Sequence, residues 1–449
     1  MMNPQKMIRY DRKDRVTGET VRFYQHNSGF RIDIVQKKNY SNRYAGILVP
    51  FGADHVSYVD FNTGDERQIP LGGPYITTQG ILQKEDSDSP LSRLNQLGIN
   101  IELAMDRSSV TYSFTTVDHF GEAISALLEL VLEARFSDEQ ITREIEKLGL
   151  ERLLEEENLS TIAEEVLLRG LYKNPLIHTP IYGNMEGLMH LNGEDVESYY
   201  QNAYHPTVLT LVLVGHFLPD EEEHMINEVS NYLDTRAIAL NQSIQFLSPS
   251  DKGESVLLPK QLLELPTATS SFYLAYKKEF TNGSVRRGGR HLIRQKLIGD
   301  LIVKMLIGDG SNTFEELYND GIIDESFRLN YVVQEGYAHL IIWGDSMQAE
   351  AAVEKIAHTL EEFIRLGAFD ERRLEEITRA SIGSFLRDLD DVKRCGNLVA
   401  QIKSVNLEFS DYASIFYQLK GRELLDELQF MKEENRASVV IHGRKKRKN

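Results

Sequence analysis

The feature that most constrains the fold of this sequence is a pattern of residues that occurs twice. Residues 100–116 predict two strands in a hairpin, because apolar and polar residues roughly alternate around a polar turn at 106–108. Residues 330–343 show the same pattern around Glu335-Gly336. Each hairpin is followed by apolar residues at helical spacing, which predicts an amphipathic helix. These residues are Ile124, Leu127, Leu128 and Val131 in the first copy, and Val353, Ile356, Ala357 and Leu360 in the second.

A second helix follows the first one in both copies, after a short stop. Ser137 and Asp370 precede the second helical pattern, where a side-chain oxygen can accept hydrogen bonds from exposed backbone amides. Because hairpin, helix, capped stop and second helix recur in one order, the sequence predicts an α+β fold of two duplicated domains. Each domain is expected to be an antiparallel sheet covered by helices on one face. Two unrelated α+β domains are the alternative.

The two predicted domains meet in a segment that contains Ser248-Pro249-Ser250, Gly253 and Pro259, which are turn-forming residues. The predicted division is an N-terminal domain over residues 1–236, a linker over 237–265 and a C-terminal domain over 266–449.

The charge balance argues against a nucleic-acid-binding protein. The 449 residues carry a formal net charge of −18, which could draw basic peptides into an acidic cavity, although a solvated surface is the better-supported explanation. The basic run 444–448 lies at a chain end, where such runs are more often solubilising tails, so no role is assigned to it.

The sequence also argues against a membrane protein, since no apolar run approaches the roughly 18 residues that a spanning helix needs. Residues 1–15 contain no apolar core of a signal peptide. Cys395 is the single cysteine, so it cannot form an internal disulfide or a thiolate metal cluster, and it is interpreted as a structural residue. Together these features predict a cytoplasmic protein.

Most of the chain resembles the insulinase-like zinc metallopeptidases, the family that includes the mitochondrial processing peptidase. The resemblance depends on residues 30–52, 136–151, 181–206 and 209–215, including Tyr204-His205-Pro206 before an apolar strand. It implies two similar α+β domains in one chain. It also implies that two such chains work together, each supplying two of four domains.

Active members of this family carry H-x-x-E-H on a helix, where two imidazoles hold zinc and the glutamate activates the metal-bound water. The resemblance places this motif at Tyr75, Thr78 and Gln79, on a helix whose first turn must contain Pro74. A phenol and an amide are poor zinc ligands, and a threonine hydroxyl cannot shuttle protons near neutral pH. No two of the twelve histidines are four residues apart. Neither a metal nor another cofactor is therefore predicted.

The family's third zinc ligand is a downstream glutamate, preceded by a second glutamate two helical turns earlier. The resemblance places this pair at Glu151 and Glu144, as remnants of an ancestral site. Either glutamate, considered by itself, is better explained as a surface residue of an acid-rich helix. Ser384 stands at the equivalent position of the second copy, so that half offers no site.

Two further segments are implied to bind peptide. Active relatives pair an extended substrate with an edge strand that contains Asn-Ala, and the equivalent segment here includes Glu102, Leu103 and Ala104, with Glu102 at the asparagine position. Gly308 and Gly310 resemble a shortened form of the glycine-rich substrate loop of the non-catalytic mitochondrial partner. A plain helix end followed by a helix start is the favoured explanation of that loop.

The leading hypothesis is a non-catalytic subunit that pairs with an active zinc-peptidase paralogue as a heterodimer and helps to hold a peptide substrate. The resemblance points to peptide maturation in bacteria. One alternative is an autonomous zinc peptidase with atypical ligands. Another is a purely structural assembly subunit, similar to the respiratory-chain core proteins of the same family.

Overall fold

The computed structural model describes residues 7–14, 17–83, 88–155, 159–235, 243–251, 255–278, 288–367, 370–419 and 426–443. The chain forms two compact units. The first unit comprises Met1–Gly149, Pro180–Ser248 and Phe385–Ser414. The second unit comprises Leu150–Thr179, Pro249–Ser384 and Ile415–Asn449.

The predicted division was continuous, with one domain on each side of residues 237–265. In the structure, the first unit also includes Phe385–Ser414 from the C-terminal side, and the second unit includes Leu150–Thr179 from the N-terminal side. The exchanged segments carry helices whose apolar residues complete the core of the receiving unit. The predicted linker itself contributes a short strand to each unit. Residues 237–242 and 252–254 of it, and the basic run 444–448, lie outside the described residues.

The strands are numbered along the chain. Those of the first unit are β1 (Ile8–Lys13), β2 (Thr20–Gln25), β3 (Arg31–Gln36), β4 (Arg43–Val49), β5 (Ser57–Val59), β6 (Glu66–Gln68), β7 (Glu102–Met105), β8 (Val110–Thr116), β9 (Thr210–Gly215) and β10 (Gln245–Leu247). Those of the second unit are β11 (Lys260–Leu265), β12 (Ser271–Lys278), β13 (Arg328–Gln334), β14 (Tyr337–Asp345) and β15 (Arg436–Gly443).

The helices are also numbered along the chain. They are α1 (Gly73–Ile81), α2 (Pro90–Gln96), α3 (Phe120–Leu132), α4 (Asp138–Glu155), α5 (Leu159–Leu171), α6 (Pro175–His178), α7 (Met185–Leu188), α8 (Gly193–Ala203), α9 (Pro219–Asp234), α10 (Gly289–Ile307), α11 (Asn312–Asn319), α12 (Ala349–Leu366), α13 (Glu371–Leu389), α14 (Val392–Ser404) and α15 (Phe409–Gln418).

The two main sheets have the same internal order, which confirms the α+β class and the duplication. The first sheet runs β1-β2-β3-β9-β4-β8-β7, and the second runs β11-β15-β12-β14-β13. Five consecutive strands match, β3-β9-β4-β8-β7 in the first sheet and β11-β15-β12-β14-β13 in the second. In both, one parallel pair (β3 with β9, β11 with β15) is followed by three antiparallel pairs. Each sheet is thus mixed rather than purely antiparallel. A small separate sheet has the order β10-β5-β6.

Both predicted hairpins and the helices after them are confirmed. β7 pairs with β8, and β13 pairs with β14, each antiparallel. The eight apolar residues predicted to face the core are all buried. Ser137 accepts a hydrogen bond from the Gln140 amide at 3.3 Å, and Gln140 Oε1 accepts one from the Ser137 amide at 2.8 Å. Asp370 Oδ1 accepts from the amides of Arg372 and Arg373 at 3.0 and 3.2 Å, so both stops are capped as predicted.

The second sheet has helices on both faces, where the sequence predicted one covered face. Phe272, Leu274 and Tyr276 of β12 belong to the core beneath α10 and α12. Tyr273 and Ala275, which point the other way, belong to a second core with α5. β12 is buried throughout except at its last residue, as strands covered on both faces are.

The first sheet is likewise covered on a second face, by α14. Gly396 of this helix lies against the ring of Tyr44 on β4, so closely that a Cβ at residue 396 would overlap the ring. Cys395, the neighbouring residue, is fully buried. The exchanged helix is therefore part of the packed interior of the first unit.

Candidate functional site

The helix that the resemblance assigns to the metal motif is α1, and its start is fixed by two glycines. Gly72 caps the helix at φ 90°, and Pro74 lies in the first turn, where it interrupts no helical hydrogen bond. A Cβ on Gly72 would overlap the carbonyl of Tyr182, and a Cβ on Gly183 would overlap the carbonyl of Leu71. Close approach of these two loops therefore fixes where α1 begins.

Thr78, which the resemblance assigns to the position of the catalytic glutamate, points into the core. It is fully buried, and its hydroxyl donates to the carbonyl of Pro74 at 2.8 Å. The Tyr204 hydroxyl lies 3.3 Å from the Thr78 hydroxyl, and the Tyr112 hydroxyl donates to the Thr78 carbonyl at 3.3 Å. Burial raises the pKa of Tyr204 to about 12, and burial also raises the pKa of Tyr112 well above its ordinary value. These hydroxyls are neutral near pH 7, so this cluster contains no base.

Tyr75 and Gln79, which the resemblance assigns to the positions of the two histidines, lie one helical turn apart and are partly exposed. The Tyr75 ring packs edge-on against the Tyr182 ring, with centroids 6.5 Å apart and planes at 77°. A phenol, an amide and a buried threonine do not match the imidazole and carboxylate ligands that zinc takes in enzymes. The residues present here do not fit a zinc ion.

Glu144 on α4 is held by neighbours on both sides. Its side chain is 13% exposed, Gln83 Nε2 donates to Oε1 at 3.0 Å, and Lys147 Nζ lies 3.8 Å from Oε2. Glu151 is exposed and lies beyond Gly149, where the chain has passed into the second unit. Within the described ranges, no group of three His, Cys, Asp or Glu side chains is placed to hold a metal ion.

The predicted peptide-binding strand β7 forms an edge of the first sheet. Leu103 pairs with Tyr112 of β8, whose hydroxyl reaches the Thr78 carbonyl, so the strand edge and α1 share one support. Leu103 is partly buried, whereas Glu102 and Ala104 are exposed on the opposite side of the strand. The structure thus brings this edge and the motif helix together in one region.

The turn of the β7–β8 hairpin is tightly held. Asp106 Oδ1 accepts hydrogen bonds from the amides of Ser108 and Ser109 at 2.6 and 2.7 Å. The Ala53 amide donates to the Asp106 carbonyl at 3.1 Å, and Gly52 approaches the turn so closely that no Cβ would fit there. The edge strand is therefore a pre-ordered surface.

Gly308 and Gly310 lie in the second unit, in a loop that ends one helix and begins the next. Gly308 caps α10, Gly310 has φ +74°, and the Ser311 side chain accepts from the Phe314 amide at 3.1 Å to begin α11. A cavity of about 220 Å³ adjoins Gly310 and is also lined by Arg373, whose guanidinium donates to the Asp309 carbonyl at 3.3 Å. The loop has the helix-cap contacts that its sequence favours, and peptide binding by it remains a prediction.

Three residues near the site were not identified from the sequence. The Tyr182 ring packs edge-on against Tyr75, Gln83 donates a hydrogen bond to Glu144, and Lys393 of α14 places its ammonium 2.6 and 2.8 Å from the two carboxylate oxygens of Glu102. Gln83 could have been found, because it follows Gln79 by four residues. Lys393 had no local signal, since the helix that carries it is distant in sequence.

Comparisons with known proteins agree on one fold. No protein-family model matches the sequence. The chain is 21% identical over 422 residues to the uncharacterized zinc protease YmfH of Bacillus subtilis, covering 92% of this chain and 94% of that protein. It matches an M16-like peptidase structure from Alicyclobacillus acidocaldarius with a TM-score of 0.87 at 18% identity, covering 95% of this chain and 99% of the other.

Two further structures are similar over almost all of this chain. A peptidase M16 inactive domain from Pseudomonas fluorescens matches with a TM-score of 0.72 at 13% identity, covering 95% of this chain and 99% of that one. The periplasmic protease PqqL from Escherichia coli matches with a TM-score of 0.69 at 12% identity, covering 96% of this chain but 48% of PqqL.

The duplicated mixed sheets, which the M16-like peptidase structure matches over almost the whole chain, define a chain with the M16 peptidase fold. The predicted resemblance to the insulinase-like metallopeptidases is thereby confirmed. Among the helices that the structure describes, none is long and apolar enough to cross a membrane.

Proposed function

We propose that this chain is a non-catalytic subunit of an insulinase-type peptidase, which pairs with an active paralogue and binds the peptide substrate. The observation that carries the proposal is the chemistry of the side chains on α1. Tyr75 and Gln79 offer a phenol and an amide where two imidazoles would be needed, and Thr78 is buried with its hydroxyl donated to Pro74. Changing one of these residues would not create a metal site, because ligands and base are all replaced.

Peptide binding is supported by the edge strand. β7 has one paired side and one open side within the described sheet, and its turn is held rigidly. An extended peptide can add to such an edge through backbone hydrogen bonds, and a rigid edge lowers the entropy that binding costs.

A heterodimer is supported by the size of the chain relative to PqqL. The chain matches about half of that protein's length, so a second chain of similar size would supply the remainder. An active paralogue carrying H-x-x-E-H is the partner that would restore catalysis. We further propose peptide maturation as the role and the cytoplasm as the location, the latter on the single-cysteine composition.

Co-expression tests the pairing. The chain is produced with a candidate paralogue that carries H-x-x-E-H, and the complex is isolated through a tag on the chain. We expect a 1:1 complex whose peptidase activity exceeds that of the paralogue alone. The matched control replaces the paralogue's motif glutamate by glutamine, which should abolish activity and leave the complex intact. A persistent monomer that does not alter cleavage by any paralogue contradicts the proposal.

Metal analysis separates this proposal from an autonomous peptidase with atypical ligands. Zinc is measured in the purified chain by mass spectrometry, and peptide cleavage is measured before and after chelation. We expect well under one equivalent of zinc and no chelator-sensitive cleavage. One tightly bound equivalent whose removal abolishes cleavage would establish the alternative.

A purely structural subunit would form the complex yet give no protection of β7 from hydrogen exchange when peptide is added.

A further inference from the structure

The open edge of β7 carries an ion pair that reaches it from another part of the chain. Glu102 is 48% exposed and Lys393 is 46% exposed, and the ammonium contacts both carboxylate oxygens. Glu102 pairs with Ser113 across the ladder, so its side chain lies on the face of the sheet that α14 covers. Lys393 approaches from that helix and leaves the outer side of the carboxylate open to solvent.

A strand that adds to β7 would place one side chain directly opposite Glu102. Directly opposed residues in a ladder have Cβ atoms about 5 Å apart, and opposite charges at such positions are favourable whereas like charges are not. The carboxylate belongs to the edge strand, whereas the ammonium reaches it from a helix on one face. The group nearest to an incoming side chain is therefore the negative one.

We infer that Glu102 makes the β7 edge selective for extended peptides that carry Lys or Arg at the ladder position opposite it. The inference rests on the proposed function as a peptide-binding subunit and adds the class of peptide. The net charge of −18 favours the same class by attracting cations at longer range. Lys393 is a positioning residue, because it fixes the carboxylate and moderates its charge.

The same ion pair could instead only guard the edge against unwanted strand pairing, as charged side chains on edge strands commonly do. If the ion pair only prevents strand pairing, it should weaken the binding of every added strand and show no preference between a basic and a neutral peptide. Selection and guarding thus differ in how affinity depends on the peptide's charge.

The experiment uses the full chain and a fluorescent eight-residue peptide of alternating Thr and Val. Lys, Gln or Glu is placed at each position in turn, and affinity is measured by anisotropy at low ionic strength. Hydrogen exchange of residues 102–105 reports whether binding occurs at β7. We expect one register position at which Lys binds about three-fold more tightly than Gln and Glu more weakly than Gln, an effect of the size of one cross-strand charge pair.

Two variants test the assignment to Glu102. Glu102→Gln should remove the preference while β7 is still protected by bound peptide. The double exchange Glu102→Lys with Lys393→Glu keeps an ion pair at the same place with the opposite polarity, and it should reverse the preference to Glu. Thermal unfolding measured alongside verifies that both variants are folded.

The outcomes separate the inference from the proposed function. If no peptide of any charge protects residues 102–105, the peptide-binding proposal fails and the selectivity falls with it. If peptides protect the strand with equal affinities, or the double exchange leaves the preference unchanged, the inference is wrong and the peptide-binding proposal stands.

Discussion

The helix on the second face of each sheet is held differently in the two units. In the first unit, α14 ends at a buried charge network in which Lys403 Nζ lies 2.9 Å from Glu408 and 3.5 Å from Asp33. In the second unit, α5 is held by apolar packing of Ala163, Leu167 and Leu171 against the sheet. One topology is thus compatible with two kinds of contact.

The difference has a physical consequence. Apolar contacts depend on filled volume and allow small shifts, whereas a buried charge is stable only with its partner in place. Asp33 is 1% exposed and Lys403 is 4% exposed on the side chain, and Arg31 adds a second cation 3.7 Å from Asp33. The position of α14, and with it of Lys393 beside Glu102, is therefore specified by particular partners.

The largest effect is expected when the charged contact loses one partner. Lys403→Met leaves Asp33 and Glu408 with Arg31 alone, and breaking a buried pair costs about 3–5 kcal/mol. Lys393→Met is the matched control, since it removes an exposed ammonium from the same helix and should cost under about 1 kcal/mol. Chemical denaturation measures both. Equal losses for the two variants would show that the buried network does not specify the position of the helix.

The apolar contact is tested by Leu167→Ala in α5. Leu167 is fully buried, and removing a buried leucine side chain costs about 3 kcal/mol. Leu153→Ala is the control, because Leu153 is 63% exposed. Trp343 is the single tryptophan and belongs to β14, so its fluorescence follows the second unit alone. If Leu167→Ala leaves the Trp343 transition unchanged, α5 is not part of the second core in solution.

The stability of the two units should also respond differently to acid. His55 in the first unit accepts a hydrogen bond from the Gly52 amide at Nδ1, and burial lowers the pKa of His55 to about 4. The folded chain then binds fewer protons than the unfolded chain. This contribution to stability is therefore present above about pH 6.5 and is lost as pH falls toward 4, by an amount on the order of 2 kcal/mol.

His55→Asn keeps an acceptor for Gly52 without a titrating group, so its stability should fall less than that of the wild type over the same pH range. Far-UV circular dichroism and Trp343 fluorescence measure the whole chain and the second unit respectively. Parallel pH profiles for the two proteins would mean that His55 is not the group responsible.

The smallest effects should come from the two helix caps, which occupy equivalent positions. Ser137→Ala and Asp370→Ala should each cost about 1 kcal/mol, the usual cost of losing a cap. The Asp370 cap also places a negative charge at a helix start, so only its loss should become smaller at high salt. Denaturation at low and high salt compares them. Identical salt dependence would show that the two caps act through the hydrogen bond alone.

Local signals made much of the fold predictable. Alternation around a turn identified both hairpins, helical spacing identified α3 and α12, and one side-chain oxygen identified each capped stop. These features depend on residues close together in sequence. The second covered face also had a signal, because Ser271–Lys278 is apolar on both sides of the strand, which is typical of a strand buried on two faces.

Other features had no local signal. The placement of α5 and α14 in the opposite units depends on which apolar faces meet after folding, as does the pairing of β10 with β5. For the candidate site, the resemblance assigns Tyr75, Thr78 and Gln79 to the metal motif, but it does not give the direction of each side chain. The burial of Thr78 follows from contact with Tyr112 and Tyr204, which lie on a distant strand and beyond a distant helix.

The burial of Cys395 allows the separation of α14 from the sheet to be measured through the reactivity of one thiol. Its thiol has no exposed surface, and burial raises its pKa to about 12, so it is neutral and shielded while the helix is packed. Because the sequence contains no other cysteine, every molecule that consumes a thiol reagent has opened at this one position. The rate of disulfide exchange with a small aromatic disulfide therefore measures how often the first unit opens around Cys395. The second unit contributes nothing to this rate, because it contains no cysteine.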